Sequence, residues 1–520
     1  MRTSLKIIAF GIVMSLVMAA TLALAESTNE TQLLQLAHER FPEGISPTEE
    51  MLFQAAARGQ ALSFTTGSVI DDDPANSASW PAERSIRADR LAWLCGEPAA
   101  SALVDYGGVR IVGLRIEGPL NLAWAKIPFQ LSAVKCAFTD DISMAYCHLR
   151  ALQLDGSCLK KLRAWGLNVE NFVSLQTDFS SDGGVDLSGS FIGGVLNCNG
   201  GHFTNSSGIA LNCNSIKVEG SVFLRMNFIS LGEVNFVAAT VGLTLDCDEG
   251  LFINTNSNGR ALTVNIAKIK GDVFLRNHFR SEGEVNLLGA VIGGSFSCQN
   301  SSFFNSNAFA LRAKRIEVKS SVFLNNHFQA EGAVDFSGAS IQGDLDCRSG
   351  QFANEGTNGH GLDANGIKLG GFALLSTNFM AKGGVVFVNA TIGRDLNCDG
   401  GRFINTNKGD YALDASGAKI GGSVFLGGHF HAQGEVRLLD SNIGGNLDCD
   451  NSDFDKSNSV ALQADRITVQ SVFLNNNFHA QGRVDFASAT IRGDLNCEKG
   501  SFSMSMALPW TLTEPESTAA

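Results

Sequence analysis

The segment from Val185 to Phe203 reads VDLSGSFIGGVLNCNGGHF, and its pattern decides the fold. Apolar residues alternate with polar residues over two or three positions, and glycine pairs separate these short runs. Such alternation between turn residues is typical of short β-strands. The segment does not sustain the 3.6-residue period of a helix, so we expect strands and tight turns.

The same segment recurs along the rest of the chain. A triplet like Leu196-Asn197-Cys198 returns every 48 to 51 residues and ends at Cys198, Cys247, Cys298, Cys347, Cys398, Cys449 and Cys497. Between these triplets lies a second version of the unit, in which the triplet reads Val-Phe-Leu, as at Val222-Phe223-Leu224. The true period is therefore about 25 residues, and the unit occurs some thirteen times between Val185 and Phe502.

A unit this small cannot bury its apolar face alone, whereas stacked units build a continuous interior. We therefore predict an all-β fold, a right-handed parallel β-helix (β-solenoid) with about 25 residues per coil and a small N-terminal helical cap. Equivalent residues of successive coils should stack into columns at the strand spacing of ~4.8 Å.

The regions outside the regular repeat differ in kind. Arg2 and Lys6 precede an apolar stretch that ends at Ala23-Leu24-Ala25. This is the pattern of a signal peptide over residues 1–25. We predict a helical cap region over 26–106, irregular β-helix coils over 107–180, regular repeats over 181–502 and a disordered tail over 503–520. Within the cap, helices are expected from Thr31 to Arg40, from Ser46 to about Arg58, and from Ala82 to Cys95.

The signal peptide predicts export to the periplasm or beyond the cell, and the alternative is that the same stretch is retained as a membrane anchor. No later segment has about 20 consecutive apolar residues, so no transmembrane segment is expected after signal removal. The 39 Lys and Arg against 52 Asp and Glu give a net charge of −13, which disfavours nucleic acid as a partner.

Three motifs carry a resemblance to known proteins. They are Trp80 with the Arg84–Ala88 segment RSIRA, the Leu114–Leu122 segment LRIEGPLNL, and the recurring Ile-Gly-Gly units. In these the chain resembles bacterial β-solenoid repeat proteins akin to pentapeptide-repeat proteins, some of which carry the label of membrane-associated oxidoreductase. The chain itself has no G-x-G-x-x-G after a strand and no haem or flavin signature, so no cofactor is expected.

The cysteines and histidines predict no catalytic, cofactor-binding or metal-binding residue. Equivalent cysteines two coils apart would lie ~9.6 Å from one another, beyond the ~7 Å limit for a disulfide, and are expected to be buried hydrophobes. A bridge among Cys136, Cys147 and Cys158 stays open, with its pairing unknown.

The histidines divide into two sets. His278, His327 and His429 share a repeat position that holds asparagine in other units, and are interpreted as turn residues. His360 lies in a Gly-His-Gly triplet similar to that of β-helical pectin hydrolases. Its position holds Arg260 and Phe309 in sister units, and no cluster of three aspartates accompanies it, so a catalytic role is not expected.

The middle residues of the strand triplets form the candidate binding site. Side chains alternate across a strand, so each middle residue should point outward while its neighbours point inward. Large apolar and short polar residues alternate there coil by coil, and the candidate stripe comprises Phe223, Asp246, Phe274, Phe323, Asp346, Phe425, Asp448 and Phe473. Aromatic rings beside carboxylates and amides suit sugars, and the opposing interpretation is that the stripe is covered or turned inward.

These features predict an exported, non-catalytic repeat scaffold that binds an extended partner, an envelope polysaccharide or protein, along a flat face. The first alternative is a β-helical enzyme that degrades polysaccharide, which would need carboxylates converging in one groove. The second is an acidic mimic of nucleic acid, which would require a cytoplasmic location. An uncapped last coil near Phe502 would also allow end-to-end self-association.

Overall fold

The structure, a computed structural model, describes residues 28–254, 259–354, 359–405, 411–503 and 506–507. The chain forms stacked parallel coils, a β-solenoid of about 16 turns with about 23 residues per turn, and carries a few helices near its N-terminus. The prediction of a parallel β-solenoid is confirmed. The chain divides into two compact units after Thr204, and each is described by itself. The predicted signal peptide lies outside the described residues, as does most of the predicted tail.

The helices belong to the first unit. They span 28–40, Pro47–Ala57, Ala88–Gly96 and Pro98–Ser101, with 3₁₀ turns at Pro74–Ser79 and Ala82–Arg84. Ser46 begins the second helix with a capping box: its hydroxyl accepts the Glu49 N–H, and the Glu49 carboxylate accepts the Ser46 N–H. The third helix starts later than predicted because Ser85–Arg87 is extended and pairs with Arg115–Glu117.

The Trp80 and Arg84 motif has a structural role in the first unit. The Arg84 guanidinium lies 3.8 Å from the Trp80 ring centroid, and its Nε donates to the Gly113 carbonyl at 3.0 Å. Arg84 is buried and also contacts the Asp72 carboxylate at 3.4 Å. The contacts of Trp80 and Arg84 therefore hold the helical segment against the first coils.

Each unit builds two parallel sheets, which we call sheet A and sheet B. In the first unit the strands of sheet A are Ala61–Ser63, Val109–Val112, Lys126–Val134, His148–Gln153, Asn168–Val169, Val173–Ser174, Phe191–Ile192 and Leu196–Asn197. The strands of sheet B are Ser85–Arg87, Arg115–Glu117, Leu120–Asn121, Ala137–Phe138, Ile142–Ser143, Cys158–Leu159, Leu162–Arg163, Ser180–Ser181, Val185–Asp186 and His202–Asn212, the last of which runs across residue 204.

In the second unit each coil gives sheet A two short strands. They are Lys217–Val218, Val222–Phe223, Thr240–Val241, Leu245–Asp246, Lys268–Ile269, Val273–Phe274, Val291–Ile292, Phe296–Ser297, Glu317–Val318, Val322–Phe323, Ser340–Ile341, Leu345–Asp346, Lys368–Leu369, Ala373–Leu374, Thr391–Ile392, Leu396–Asn397, Lys419–Ile420, Val424–Phe425, Asn442–Ile443, Leu447–Asp448, Thr468–Val469, Val472–Phe473, Thr490–Ile491 and Leu495–Asn496.

Sheet B of the second unit closes each coil on the other side. Its strands are Ile229–Asn235, Leu251–Ile253, Arg260–Thr263, Arg280–Glu282, Glu284–Asn286, Ser302–Arg312, Gln329–Asp335, Gln351–Ala353, His360–Asp363, Met380–Lys382, Gly384–Val386, Arg402–Ile404, Tyr411–Asp414, His431–Gln433, Glu435–Arg437, Asp453–Gln463, His479–Asp485, Ser501–Phe502 and Met506–Ala507.

Coil length in the second unit alternates rather than holding at the predicted 25 residues. Val222 pairs with Leu245, an offset of 23 residues, and Leu245 pairs with Val273, an offset of 28. The extra residues lie in sheet B of the cysteine-bearing coils, where the register shifts between Phe304 and Phe309. The Asn305 amide closes the neck of that loop by donating to the Phe309 carbonyl at 2.7 Å. The 50-residue period is therefore one short coil plus one long coil.

An unbroken column of phenylalanines fills the interior of the second unit. Neighbouring ring centroids lie 5.0–5.4 Å apart along Phe228, Phe252, Phe279, Phe303, Phe328, Phe352, Phe379, Phe403, Phe430, Phe454, Phe478 and Phe502. Such aromatic pairs stabilise a core beyond their buried area. The sequence period identifies the phenylalanine of each cysteine-bearing unit, which supplies half of this column. The intervening coils supply the other half.

The cysteines are also interior residues. All twelve lie in the described part of the chain and none is in a disulfide, including Cys136, Cys147 and Cys158. Burial raises the pKa of the Cys136 thiol and of the Cys147 thiol to about 12. A thiol that stays protonated is a poor nucleophile and metal ligand, so these side chains act as small hydrophobes.

Candidate binding face

The outward column of sheet A in the second unit brings the eight predicted site residues into register. We call this column the stripe, and it runs through Phe223, Asp246, Phe274, Ser297, Phe323, Asp346, Leu374, Asn397, Phe425, Asp448, Phe473 and Asn496, each paired with the next. Rings on alternate strands recur every ~9.6 Å. The six apolar side chains of the stripe are partly exposed.

The first two rings of the stripe are covered by arginines. The Arg225 guanidinium lies 4.6 Å from the Phe223 ring centroid, and that of Arg276 lies 3.7 Å from the Phe274 centroid. Each guanidinium is held in turn by a carboxylate, Arg225 by Asp246 at 3.1 Å and Arg276 by Asp248 at 2.8 Å. These ring faces are engaged in cation–π contacts and are not free to stack on a ligand.

Two of the stripe's carboxylates are buried by their neighbours. Asp346 is 3% exposed, because the Arg348 guanidinium contacts its Oδ2 at 2.7 Å and the Asn325 amide donates to the same oxygen at 2.7 Å. Asp246 is 6% exposed beneath Arg225. Both point outward as predicted, but their charges are neutralised within the face.

The open rings of the stripe are the last three of its five phenylalanines. Within the described ranges, no guanidinium lies over the ring of Phe323, Phe425 or Phe473. Asp448 lies in register between Phe425 and Phe473, and its Oδ1 accepts the Asp450 N–H at 3.0 Å. Two aromatic rings with a carboxylate between them therefore form the most accessible element of the predicted site.

Asp448 titrates abnormally because it is half-buried. Burial raises the pKa of its carboxyl, and the charges of Asp450 and Asp399 raise it further. The folded state then holds the proton more tightly than the unfolded chain, so this group lowers stability as pH rises from its unfolded pKa through its folded pKa.

Replacing Asp448 by asparagine should consequently raise the melting temperature at pH 7 and leave it nearly unchanged at pH 3. Asparagine occupies the same column at Asn397 and Asn496, where its side-chain oxygen accepts the same turn N–H. Thermal melts of both proteins at the two pH values measure the effect. An equal gain at both pH values would show that charge is not its cause.

A cluster on sheet B was missed by the sequence analysis. We call it the histidine notch, an open cavity of about 390 Å³ lined by His429, His431, Asn451, Asp453, Asn477 and His479. The Asp453 carboxylate joins two coils, with Oδ2 3.2 Å from His431 Nδ1 and Oδ1 3.0 Å from His479 Nδ1. The three partners are 22 and 26 residues apart, so only an alignment of coils of unequal length would have revealed them.

His360 also has a partner that sequence reasoning missed. Its Nε2 lies 2.9 Å from the Tyr411 hydroxyl two coils away, and Gly384 lies between them in the column. A Cβ added at Gly384 would lie 3.2 Å from the Tyr411 carbonyl, 3.3 Å from the Tyr411 ring and 3.4 Å from the His360 ring, so any larger residue would crowd this approach. Beside them Asp363 pairs with Asp335, and burial raises the pKa of the Asp363 carboxyl.

The described residues hold no group of three or more His, Cys, Asp or Glu side chains placed to bind a metal ion. None of the helices in the same ranges is long and apolar enough to cross a membrane. The fold and the stripe together define the chain as a β-solenoid repeat protein. Comparison of the chain with models of known protein families, with curated proteins and with solved structures finds no match.

Proposed function

We propose that the protein is an exported, non-catalytic scaffold that binds an extended envelope polysaccharide along the stripe. The observation that carries this proposal is the register, which places partly exposed aromatic rings and short polar side chains in strict alternation on one face. Contiguous exposed apolar surface usually marks an interaction site. Kinship with the solenoids akin to pentapeptide-repeat proteins, and end-to-end pairing of the last coil, belong to the same proposal.

A polysaccharide fits the chemistry of the open part of the stripe better than a protein does. Sugar rings present flat C–H faces to the rings of Phe425 and Phe473, and hydroxyl donors to the Asp448 carboxylate and the Asn397 amide. The ~9.6 Å repeat of the rings is close to the length of a disaccharide unit. A linear glycan could therefore repeat its contacts at each pair of coils.

Binding of the mature protein to purified envelope glycans tests the proposal. Replacing Phe323, Phe425 and Phe473 together by serine should weaken binding about tenfold or more, because each lost ring contact is worth about 0.5–1.5 kcal/mol. Isothermal titration calorimetry measures the change. Phe304, a partly exposed phenylalanine on sheet B, provides the matched control as Phe304→Ser, which should bind like the wild type.

Two outcomes would count against this proposal. Equal affinity of the triple variant and the wild type would show that the stripe is not the binding site. Absence of binding to every envelope glycan would rule out a polysaccharide ligand and leave an envelope protein as the partner.

Hydrolysis of a polysaccharide is the second candidate, and one observation favours it. The paired carboxyls of Asp335 and Asp363, one of them with a raised pKa, lie near His360, and carboxyls in unlike environments are what glycoside hydrolysis needs. Both carboxylates also accept turn N–H groups, from Ser337 and Asn365, which gives them a structural role. Release of reducing ends that is lost in Asp363→Asn would establish the enzyme over the scaffold.

A further inference from the structure

The histidine notch contains hydrogen-bond acceptors from three residues, His431, Asp453 and His479. A carboxylate only accepts, so the Nδ1 atoms of His431 and His479 that face Asp453 each carry a proton. In the neutral imidazole the other nitrogen, Nε2, then keeps its lone pair. Because Asp453 holds both rings by Nδ1, the two Nε2 atoms remain available to a ligand that donates hydrogen bonds.

One coil contributes both a stripe residue, Phe425, and a notch residue, His429. Two residues after the stripe phenylalanine, other coils carry Arg225, Arg276, Asn325 or Asn475, whereas this coil carries Gly427 followed by Gly428. A Cβ added at Gly427 would lie 2.8 Å from the Asp450 backbone carbonyl and 3.4 Å from Asp399 Oδ1, so this coil has no side chain of its own beside the Asp399 carboxylate. We call the stretch of this coil between Phe425 and His429 the hollow, because its two glycines carry no side chains.

The charges around the hollow and the notch are mainly negative. Asp399 borders the hollow and accepts the Gly427 N–H at 2.9 Å, Asp450 follows in the next coil, and Asp453 lies in the notch. The cation nearest in register is Arg402, which pairs with His431. A sugar with a carboxylate or phosphate would be repelled here, whereas an ammonium group has three donors and no acceptor and forms charge-assisted hydrogen bonds to such a lining.

We propose that the histidine notch binds an amine-bearing sugar residue, so that the glycan held on the stripe is one with free amino groups. This inference rests on the proposed function, because the stripe supplies the stacking contacts and the notch supplies selectivity. Asp453 receives the ammonium group directly, and the Nε2 atoms of His431 and His479, which point away from Asp453, accept hydroxyl donors of the same sugar residue. The cavity of about 390 Å³ lies within the usual ~300–1,000 Å³ range of small-ligand sites.

Two series of oligosaccharides with one backbone test this inference: glucosamine oligomers, which carry free amines, and the same oligomers fully N-acetylated. By calorimetry at neutral pH the wild type should bind the amine series about tenfold more tightly, the worth of one charge-assisted hydrogen bond. Asp453→Asn, which keeps the side-chain shape, should abolish this preference while leaving affinity for the acetylated series unchanged. Glu331→Gln makes the same change of charge on an exposed residue of sheet B and should keep the preference.

The outcomes separate the inference from the function on which it rests. Equal affinity for both series in the wild type overturns the inference and leaves the scaffold proposal standing. Equal weakening of both series by Asp453→Asn also overturns it, because the residue would then act on the fold of the face and not on the amine. Binding of neither series, together with no binding to other envelope glycans, overturns both.

Discussion

Replacing Phe303 by alanine should lower the free energy of unfolding by about 3–5 kcal/mol, the cost of removing a large aromatic side chain from a packed core. Phe303 is fully buried, and its ring lies 5.3 Å from that of Phe279 and 5.4 Å from that of Phe328. The substitution leaves a void between two rings that the rigid coil spacing prevents from closing. Denaturant unfolding followed by circular dichroism measures the change.

Phe304 supplies the matched control for that experiment. It is the next residue on the same strand, points to the other side of the sheet and is partly exposed, with the Arg280 guanidinium 4.2 Å from its ring centroid. Phe304→Ala should cost less than about 1 kcal/mol, since only an exposed cation–π contact is lost. Equal costs at the two positions would contradict the assignment of the inner and outer faces of sheet B.

Replacing Gly242 by alanine should destabilise the protein by about 1–3 kcal/mol, although only one methyl group is added. The added Cβ would overlap the backbone carbonyl of Glu219 in the coil below. The backbone cannot shift to make room without breaking two inter-coil hydrogen bonds, from Gly242 N to Val218 O at 2.8 Å and from Leu243 N to Gly220 O at 3.1 Å. Alanine is usually the more favourable residue, so the sign of this effect is diagnostic.

Gly96 provides the comparison for Gly242. It ends the third helix of the first unit, and an added Cβ would find its nearest neighbour, the Ala125 methyl, at 3.8 Å. Gly96→Ala should therefore be neutral or slightly stabilising, because it reduces the entropy of the unfolded chain. A neutral result at both glycines would show that the corner after Val241 is more open than the structure has it.

The repeat triplets predicted the fold and the stripe because side chains in a strand alternate strictly between two faces. Once Leu245 and Cys247 face inward, Asp246 must face outward, and the sequence alone places it beside Phe223 and Phe274. The alignment of equivalent residues in coils of the same type follows from the same alternation. The accurate part of the prediction is therefore the part in which local geometry leaves no choice.

The exposure and the partners of each stripe residue could not be predicted, because they depend on the rotamers of long side chains in the same coil and in neighbouring coils. Arg276 belongs by sequence to the coil of Phe274, yet it bonds a carboxylate 28 residues earlier, and the combination covers the ring. Arg348 buries Asp346 from two residues further along the same coil. Such contacts are set by rotamers, and the sequence pattern carries no information on them.

The histidine notch could not be predicted for a different reason. Interchange of histidine with asparagine at the repeat position of His429 predicts turn residues, and that comparison does not include His431 or His479. His431 and His479 occupy a different column from His429, and Asp453 lies between them only because a long coil and a short coil alternate. An even 25-residue period would have misaligned all three residues.

The most direct test of the stripe as the binding face is a fluorescence titration of a tryptophan placed on it. In Phe425→Trp, saturation with an envelope glycan should shift and enhance the emission of the new indole, because a sugar ring stacked on it excludes water. Phe304→Trp, on sheet B, should show no change at the same glycan concentration. A response at position 304 with none at position 425 would contradict the account.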